Sequence, residues 1–236
     1  FAYTKQALLA GKHVVVEKSF TVTVEEAEEL AALAVQQQKV LTVYQNRRFD
    51  ADFLTIKKLI TENKIGRLLD VQISYERYRT TLSPKVHKEQ ATPGAGVLLD
   101  LGPHLVDQAI QLSGMPTAVF ADLRITRSVS VVDDYFTLIL YYPTHRILLT
   151  SGMVFMQQGP GYKIYGTKGC FLKNRSDVQE DLLLAGHKPG GENWGKEDPK
   201  NYGTLSTATD GVITITTIES ERGDYGKYYE AVAAAI

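Results

Sequence analysis

The sequence predicts an α+β protein: an open, mainly antiparallel β-sheet with helices on one face, preceded by an incomplete doubly wound α/β unit. Three observations carry this expectation. A helix, strand, helix, strand rhythm fills residues 1–45 and then stops. From Asp70 onward, several segments alternate polar and apolar side chains with period 2, as strands with one covered face do. Finally, Asp210-Gly211 stands between two Thr-rich runs, a strong hairpin signal.

The first helix is stopped by Gly11, and the short apolar run Val14-Val15-Val16 that follows suits a buried parallel strand. Thr23-Val24-Glu25-Glu26 has capping-box spacing, with Thr23 as N-cap and Glu26 reaching back. The helix it opens puts Ala27, Leu30, Ala31 and Ala34 on one face, and a strand from Val40 to Tyr44 closes the unit. Two parallel strands alone leave an open edge and a half-covered core, so further strands are expected upstream of Phe1. We therefore expect a domain boundary near residue 45.

Phe53, Ile56, Leu59 and Ile60 recur at helical spacing ahead of Gly66. Six strands are then expected, at about 70–76, 119–126, 135–142, 146–151, 162–165 and 170–173, with helices on one face of the sheet they form. In the third of these, Phe136, Leu138 and Leu140 alternate with Tyr135, Thr137, Ile139 and Tyr141, so both faces are apolar and self-association through the uncovered face is expected. Residues 174–203, rich in Gly, Pro, Asn and charge, read as a long surface excursion. A last helix, Tyr225 to Ile236, carries no stop signal, so the chain is expected to continue past it.

Bulk properties narrow the function. A formal charge of -1, with its cations scattered, offers no field for nucleic acid. No apolar run approaches the ~20 residues of a membrane helix. The single cysteine, Cys170, closes no internal disulfide and builds no thiolate metal site, so no metal is expected and the cytoplasm is the expected compartment.

Two segments carry chemistry. Gly11-Lys12-His13-Val14-Val15-Val16-Glu17-Lys18-Ser19 puts Lys18 just past the carboxyl end of a parallel strand, where open α/β sheets bind ligands. Gly94-Ala95-Gly96-Val97-Leu98-Leu99-Asp100-Leu101-Gly102-Pro103-His104 leads into a helix that Gly114 ends. On it Asp100, His104, Asp107 and Gln111 make one polar stripe, opposite Leu101, Leu105, Ala109 and Leu112. Plainer readings stand beside these: Lys18 as a solvated loop residue, and Asp100 as a helix N-cap with His104 merely exposed. Gly94-Ala95-Gly96 is not a dinucleotide fingerprint, because no strand-turn-helix unit surrounds it.

Together, in this order, the segments Ala7 to Ser19 and Gly94 to Asp107 resemble those of the glucose-fructose oxidoreductase and inositol dehydrogenase (Gfo/Idh/MocA) family. Asn46-Arg47-Arg48-Phe49-Asp50, Ile65-Gly66, Asp133-Asp134-Tyr135, Gly166-Thr167-Lys168-Gly169 and Tyr228-Tyr229-Glu230 extend the likeness. The resemblance implies that residues 1–45 are the C-terminal remnant of a Rossmann-type dinucleotide-binding domain. Residues 46–236 would then form a substrate-binding and oligomerisation sheet domain. It implies an NAD(P)-dependent dehydrogenase that passes a hydride between a sugar, polyol or related hydroxy compound and NAD or NADP.

In that scheme Lys18, Asp100 and His104 are the catalytic set, His104 as base and Lys18 as the cation at the reacting oxygen. Asp100 either orients the imidazole or grips a second hydroxyl. Glu17 and Lys18 face the cofactor, whose pyrophosphate site would lie outside this segment, so the segment alone is expected to be inactive. Arg77, Arg79, His87 and Asp107 are the expected substrate contacts, with Tyr78 and Lys88 as neighbours. Two positions depart from the family pattern: Ser19 replaces a proline after the lysine, and Ala95 replaces the middle glycine. The alternatives are a non-catalytic dimerisation or ligand-binding module of the same fold, and an NAD-dependent glycosidase.

Overall fold

The computed structural model describes residues 1–236. Helix α1 (Ala2–Leu9), strand β1 (Val14–Val16), helix α2 (Val24–Gln36) and strand β2 (Leu41–Val43) form a small α/β unit whose strands pair in parallel, Val14 opposite Leu41. Leu8, Leu30 and Ala34 are its buried core. Thr23 caps α2 as expected, its hydroxyl accepting from the Glu26 N–H at 3.3 Å. Glu26 reaches back one residue further than the capping box requires, and its carboxylate accepts from the Val22 N–H at 3.1 Å.

The larger unit begins with helix α3 (Ala51–Thr61), strand β3 (Leu68–Glu76) and helix α4 (Val97–Ser113). Strands β4 (Ala118–Arg124), β5 (Tyr135–Tyr141), β6 (Arg146–Gly152), β7 (Tyr162–Gly166) and β8 (Gly169–Lys173) follow. Helix α5 (Gln179–Leu184), strands β9 (Gly203–Thr209) and β10 (Val212–Ile218) and helix α6 (Gly226–Ala235) complete it. The sheet has eight strands in the order β10-β9-β8-β7-β3-β6-β5-β4. Every neighbouring pair is antiparallel except β3 and β6, which run parallel. The six expected strands are all present, and the Asp210-Gly211 hairpin adds two. Both turn residues have positive φ, 51° and 79°, as the tight hairpin turn demands.

Register decides which face each strand presents. Val71 and Ile73 of β3, Phe136 and Leu138 of β5 and Ile147 and Leu149 of β6 point to one side. There they join Phe53, Ile56 and Leu59 of α3 and Leu101, Leu105 and Ala109 of α4 in a single core. Alternate residues of β5, Tyr135, Thr137 and Ile139, face the other way and are half-buried. The core therefore lies between sheet and helices, and α4 is held flat against the strands by its apolar stripe.

One expectation needs correcting. Residues 174–203 do not simply run over the surface: α5 forms within them, and Gln179, Trp194 and Glu197 are buried. The reason is a fully buried ion pair. Lys173 Nζ donates to Glu197 at 2.6 Å, to the Ser176 hydroxyl at 3.1 Å and to the Asn201 carbonyl at 2.9 Å, so all three of its protons find acceptors under the loop. A buried charge is tolerated only with that degree of pairing.

The last helix returns to the small sheet. The Tyr228 hydroxyl donates to the Val43 carbonyl at 3.0 Å, and its ring meets Tyr44 edge-on. The two units are thereby held together on the side where β1 and β2 end. No helix is long and apolar enough to cross a membrane.

Candidate active site

At the junction of the units lies a cavity of about 560 Å³. Glu17, Lys18, Tyr44 and Asn46 reach it from the carboxyl ends of β1 and β2, and Asp100 and His104 reach it from α4. Arg77, Arg79, Lys85 and Lys88 line the side formed where the chain leaves β3.

Helix α4 owes its start to Gly96 and Asp133. Gly96 has φ 96°, and a Cβ there would lie 2.0 Å from Asp133 Oδ1, so only glycine fits. Asp133 caps the helix twice: its carbonyl accepts from the Val97 N–H at 2.8 Å and its carboxylate from the Leu98 N–H at 2.7 Å. Asp100 is thus not the N-cap. It sits one turn inside the helix, free to use its carboxylate on the cavity side. Ala95 does not line the cavity, so its methyl group leaves the site unchanged.

Lys18 and Asp100, 82 positions apart, meet directly. Lys18 Nζ donates to Asp100 Oδ1 at 2.8 Å and to the Asp100 backbone carbonyl at 2.5 Å. Lys88 donates to the same Oδ1. Burial alone would raise the Asp100 pKa, but the hydrogen bonds and charges of the two lysines outweigh it and bring the carboxyl down to about 2. Asp100 makes no hydrogen bond to His104. Of the two roles considered for it, orienting the imidazole is absent here, and holding ammonium groups takes its place.

Ser19 anchors the other side of the lysine. Pro103 has no N–H to give the Leu99 carbonyl one turn earlier, and the Ser19 hydroxyl donates to that carbonyl at 2.7 Å. The residue that departs from the family pattern is fastened to the same helical turn that carries Asp100.

His104 is 7% exposed and lines the cavity, with its Nδ1 buried and lacking a partner. Burial first, then the nearby charges of Arg47, Lys18 and Arg175, lower its pKa to about 3 against the opposing pull of Asp100. The ring is neutral at physiological pH.

Not every expected residue converges here. Arg77 and Arg79 line the cavity, whereas His87 is exposed outside it. Asp107 shares the face of Asp100 but lies about 10 Å further along the helix axis. There it takes a bidentate pair from Arg48, at 2.8 Å to Nε and 2.6 Å to Nη2. Tyr78 is exposed and bridges to Val154.

Sequence reading also missed a supporting group. Arg127, 5% exposed at its side chain, donates to Asp134 at 2.8 Å, to Glu89 at 2.9 Å and to the Thr81 carbonyl at 2.8 Å, and so fixes the loop that carries Lys85 and Lys88. Burial acts to raise the Asp134 carboxyl, but Arg127, Ser130 and Thr126 together hold it well below the usual range. The tandem Asp133-Asp134 was the only sequence signal of this network.

Comparison with known proteins decides the family. Residues 1–45 match the NAD-binding Rossmann fold of the GFO/IDH/MocA oxidoreductase family, and residues 53–172 match its C-terminal domain. The chain belongs to the Gfo/Idh/MocA family. Among its relatives in that family, scyllo-inositol 2-dehydrogenase (NADP(+)) IolW of Bacillus subtilis is 41% identical over the whole chain and 66% of its own length. The oxidoreductase YdgJ of Escherichia coli is 38% identical over the whole chain and 67% of its own length. Among solved structures, oxidoreductase yvaA of Bacillus subtilis superposes with a TM-score of 0.94 at 40% identity, over 99% of this chain and 66% of that one. The chain thus spans about two thirds of the length of the Gfo/Idh/MocA proteins it matches.

Proposed function

We propose that the protein is an NAD(P)-dependent dehydrogenase that moves a hydride between a carbinol carbon of a sugar or polyol and a nicotinamide cofactor, with Lys18, Asp100 and His104 as its catalytic residues. The observation that carries this reading is the convergence of Lys18, on the end of a parallel strand, with Asp100 and His104, on one turn of α4, at one cavity. Family membership supports the reaction type.

The residues fit such a cofactor at its nicotinamide end. Parallel strand ends open into the cavity, and a buried ring nitrogen there has no partner within the protein. Glu17, Lys18, Tyr44 and Asn46 would lie against the cofactor, which when bound supplies the hydride acceptor. Neither NAD nor NADP is favoured by these residues.

Neutral His104 accepts the hydroxyl proton of the substrate as the carbinol is oxidised. Lys18 spends two of its three N–H donors on Asp100, which leaves one for the reacting oxygen. That donor stabilises the developing alkoxide in a site partly screened from water. Asp100 holds the ammonium in place. With its pKa lowered to about 3 by burial and the nearby cations, the His104 ring is unprotonated at neutral pH and can accept the hydroxyl proton.

Assay of the full-length protein with NAD and NADP against a panel of sugars, polyols and their ketones tests the proposal. Cofactor turnover with at least one of them is expected. Release of a glycoside's leaving group without net cofactor reduction would instead select the glycosidase reading.

We also propose self-association through the uncovered sheet face. Phe120 of β4 is paired with Ile139 of β5, and Ile139 with Leu148 of β6, so an apolar row crosses three strands on that face. Sedimentation of the full-length protein at micromolar concentration is expected to give a dimer or larger species.

A further inference from the structure

The charges that line the cavity are unevenly matched. Lys18 and Lys88 share Asp100, Arg47 pairs with Asp50 and Glu180, and Arg127 pairs with Glu89 and Asp134. Arg77, Arg79 and Lys85 line the same cavity, yet their side chains have neither a hydrogen bond nor an ion pair. Two of the lining acids do not answer them. The Asp133 carboxylate is taken up by the first turn of α4, and Glu17 sits beside Lys18 at the end of β1.

The three cations stand on one segment, and the segment is fixed. The Arg77 N–H donates to the Gly152 carbonyl at 3.0 Å and the Arg79 N–H to the Met153 carbonyl at 2.9 Å. The Arg77 guanidinium lies 4.6 Å from the centre of the Tyr75 ring. Both arginines are half-buried. Cations gathered in a partly dry cleft repel one another, and taking them out of water costs free energy until an anion joins them. A guanidinium pair also matches the geometry of a carboxylate or phosphate, which accepts two parallel hydrogen bonds. A neutral polyol has no group that answers this arrangement.

We propose that the substrate carries an anionic group, a carboxylate or a phosphate monoester, bound by Arg77, Arg79 and Lys85 while its carbinol carbon faces His104 and Lys18. The inference rests on the hydride-transfer reading and deepens it. The anion undergoes no chemistry; it orients the sugar chain across the cavity and selects against neutral polyols.

The test uses the full-length protein with either cofactor and a matched panel: D-glucitol and myo-inositol as neutral compounds, D-gluconate and D-glucuronate as carboxylates, D-glucose 6-phosphate and inositol 1-phosphate as phosphates. At least one anionic compound is expected to exceed every neutral one in kcat/KM by tenfold or more, since charge-assisted hydrogen bonds contribute about that factor each. Its KM should rise steeply with added salt, an effect that needs no variant. In the double variant Arg77→Gln, Arg79→Gln, the ratio of anionic to neutral kcat/KM should fall at least tenfold, chiefly through KM. The exposed Lys85→Gln, which cannot disturb packing, should move the ratio in the same direction. Preference for a neutral compound, with no salt effect and no change of ratio in the variants, overturns the inference and leaves the dehydrogenase reading in place. Absence of turnover with every compound overturns both.

Discussion

The Ser19 hydroxyl donates a hydrogen bond of 2.7 Å to the carbonyl of Leu99, the helical carbonyl that Pro103 leaves without an N–H partner. A proline inside a helix normally exposes one acceptor to whatever lies nearby. Here the nearby donor belongs to the residue after Lys18, so a defect in α4 becomes the attachment point for the loop that carries Lys18.

Ser19→Ala should therefore lower stability by about 1–2 kcal/mol, the usual cost of an unmade hydrogen bond at a part-buried carbonyl. It should also reduce kcat several-fold by loosening Lys18. Ser19→Thr, which retains the hydroxyl, should recover most of both. Denaturant titration and steady-state kinetics measure them, and an alanine variant equal to the parent in both would remove Ser19 from the argument.

His104→Ala should lower kcat by roughly 10²–10⁴-fold, the range for a lost general base, with cofactor affinity nearly unchanged. Fluorescence titration of the reduced cofactor separates binding from turnover. Full activity in this variant would move the base to another residue.

The depressed pKa of His104 makes a prediction about acid. The folded protein holds the ring neutral down to about pH 3, whereas the unfolded chain protonates it near 6.5, so between those values the unfolded state binds more protons. Stability from this group is complete above pH 6.5 and declines as pH falls toward 3, by an amount on the order of 3–5 kcal/mol over the whole window. His104→Asn, which does not titrate, should show a shallower loss of stability between pH 7 and pH 4. Parallel curves for parent and variant would contradict the assignment.

Arg127→Met should destabilise the protein by about 3–5 kcal/mol, because it leaves Asp134 and Glu89 as part-buried charges without their partner. The loop bearing Lys85 and Lys88 loses its tether to Arg127, and hydrogen exchange should quicken across residues 81–90. Unchanged exchange there would mean that other contacts hold the loop.

Much of this was legible in the sequence, for identifiable reasons. Strands with one covered face leave a period-2 record, so β3 could be read directly. The i, i+4 spacing of Asp100 and His104 announced a shared face, and the position of Lys18 after Val16 announced a ligand-binding edge. What stayed hidden depends on contacts between distant residues. Nothing local marks β3 and β6 as a parallel pair. The polar composition of residues 174–203 concealed Lys173 and Glu197 as a buried pair, since each looks like a surface residue until its partner is known. Asp107 was misplaced because a shared helical face does not mean a shared turn, and Arg127 because a buried arginine resembles an exposed one until its three acceptors are seen.

The parallel pairing of β3 with β6 bears on how the chain is made. β3 lies inside the sheet, and its neighbours begin only at Arg146 and Tyr162. A ribosome adding ~5–20 residues per second reaches the second of them on the order of ten seconds after finishing β3. Until β6 has been made, Val71 and Ile73 have no neighbouring strand to pair with, and closing so long a segment makes assembly slow. The centre of the sheet is therefore expected to close late, after most of the chain has been made, and slowed synthesis lengthens the wait.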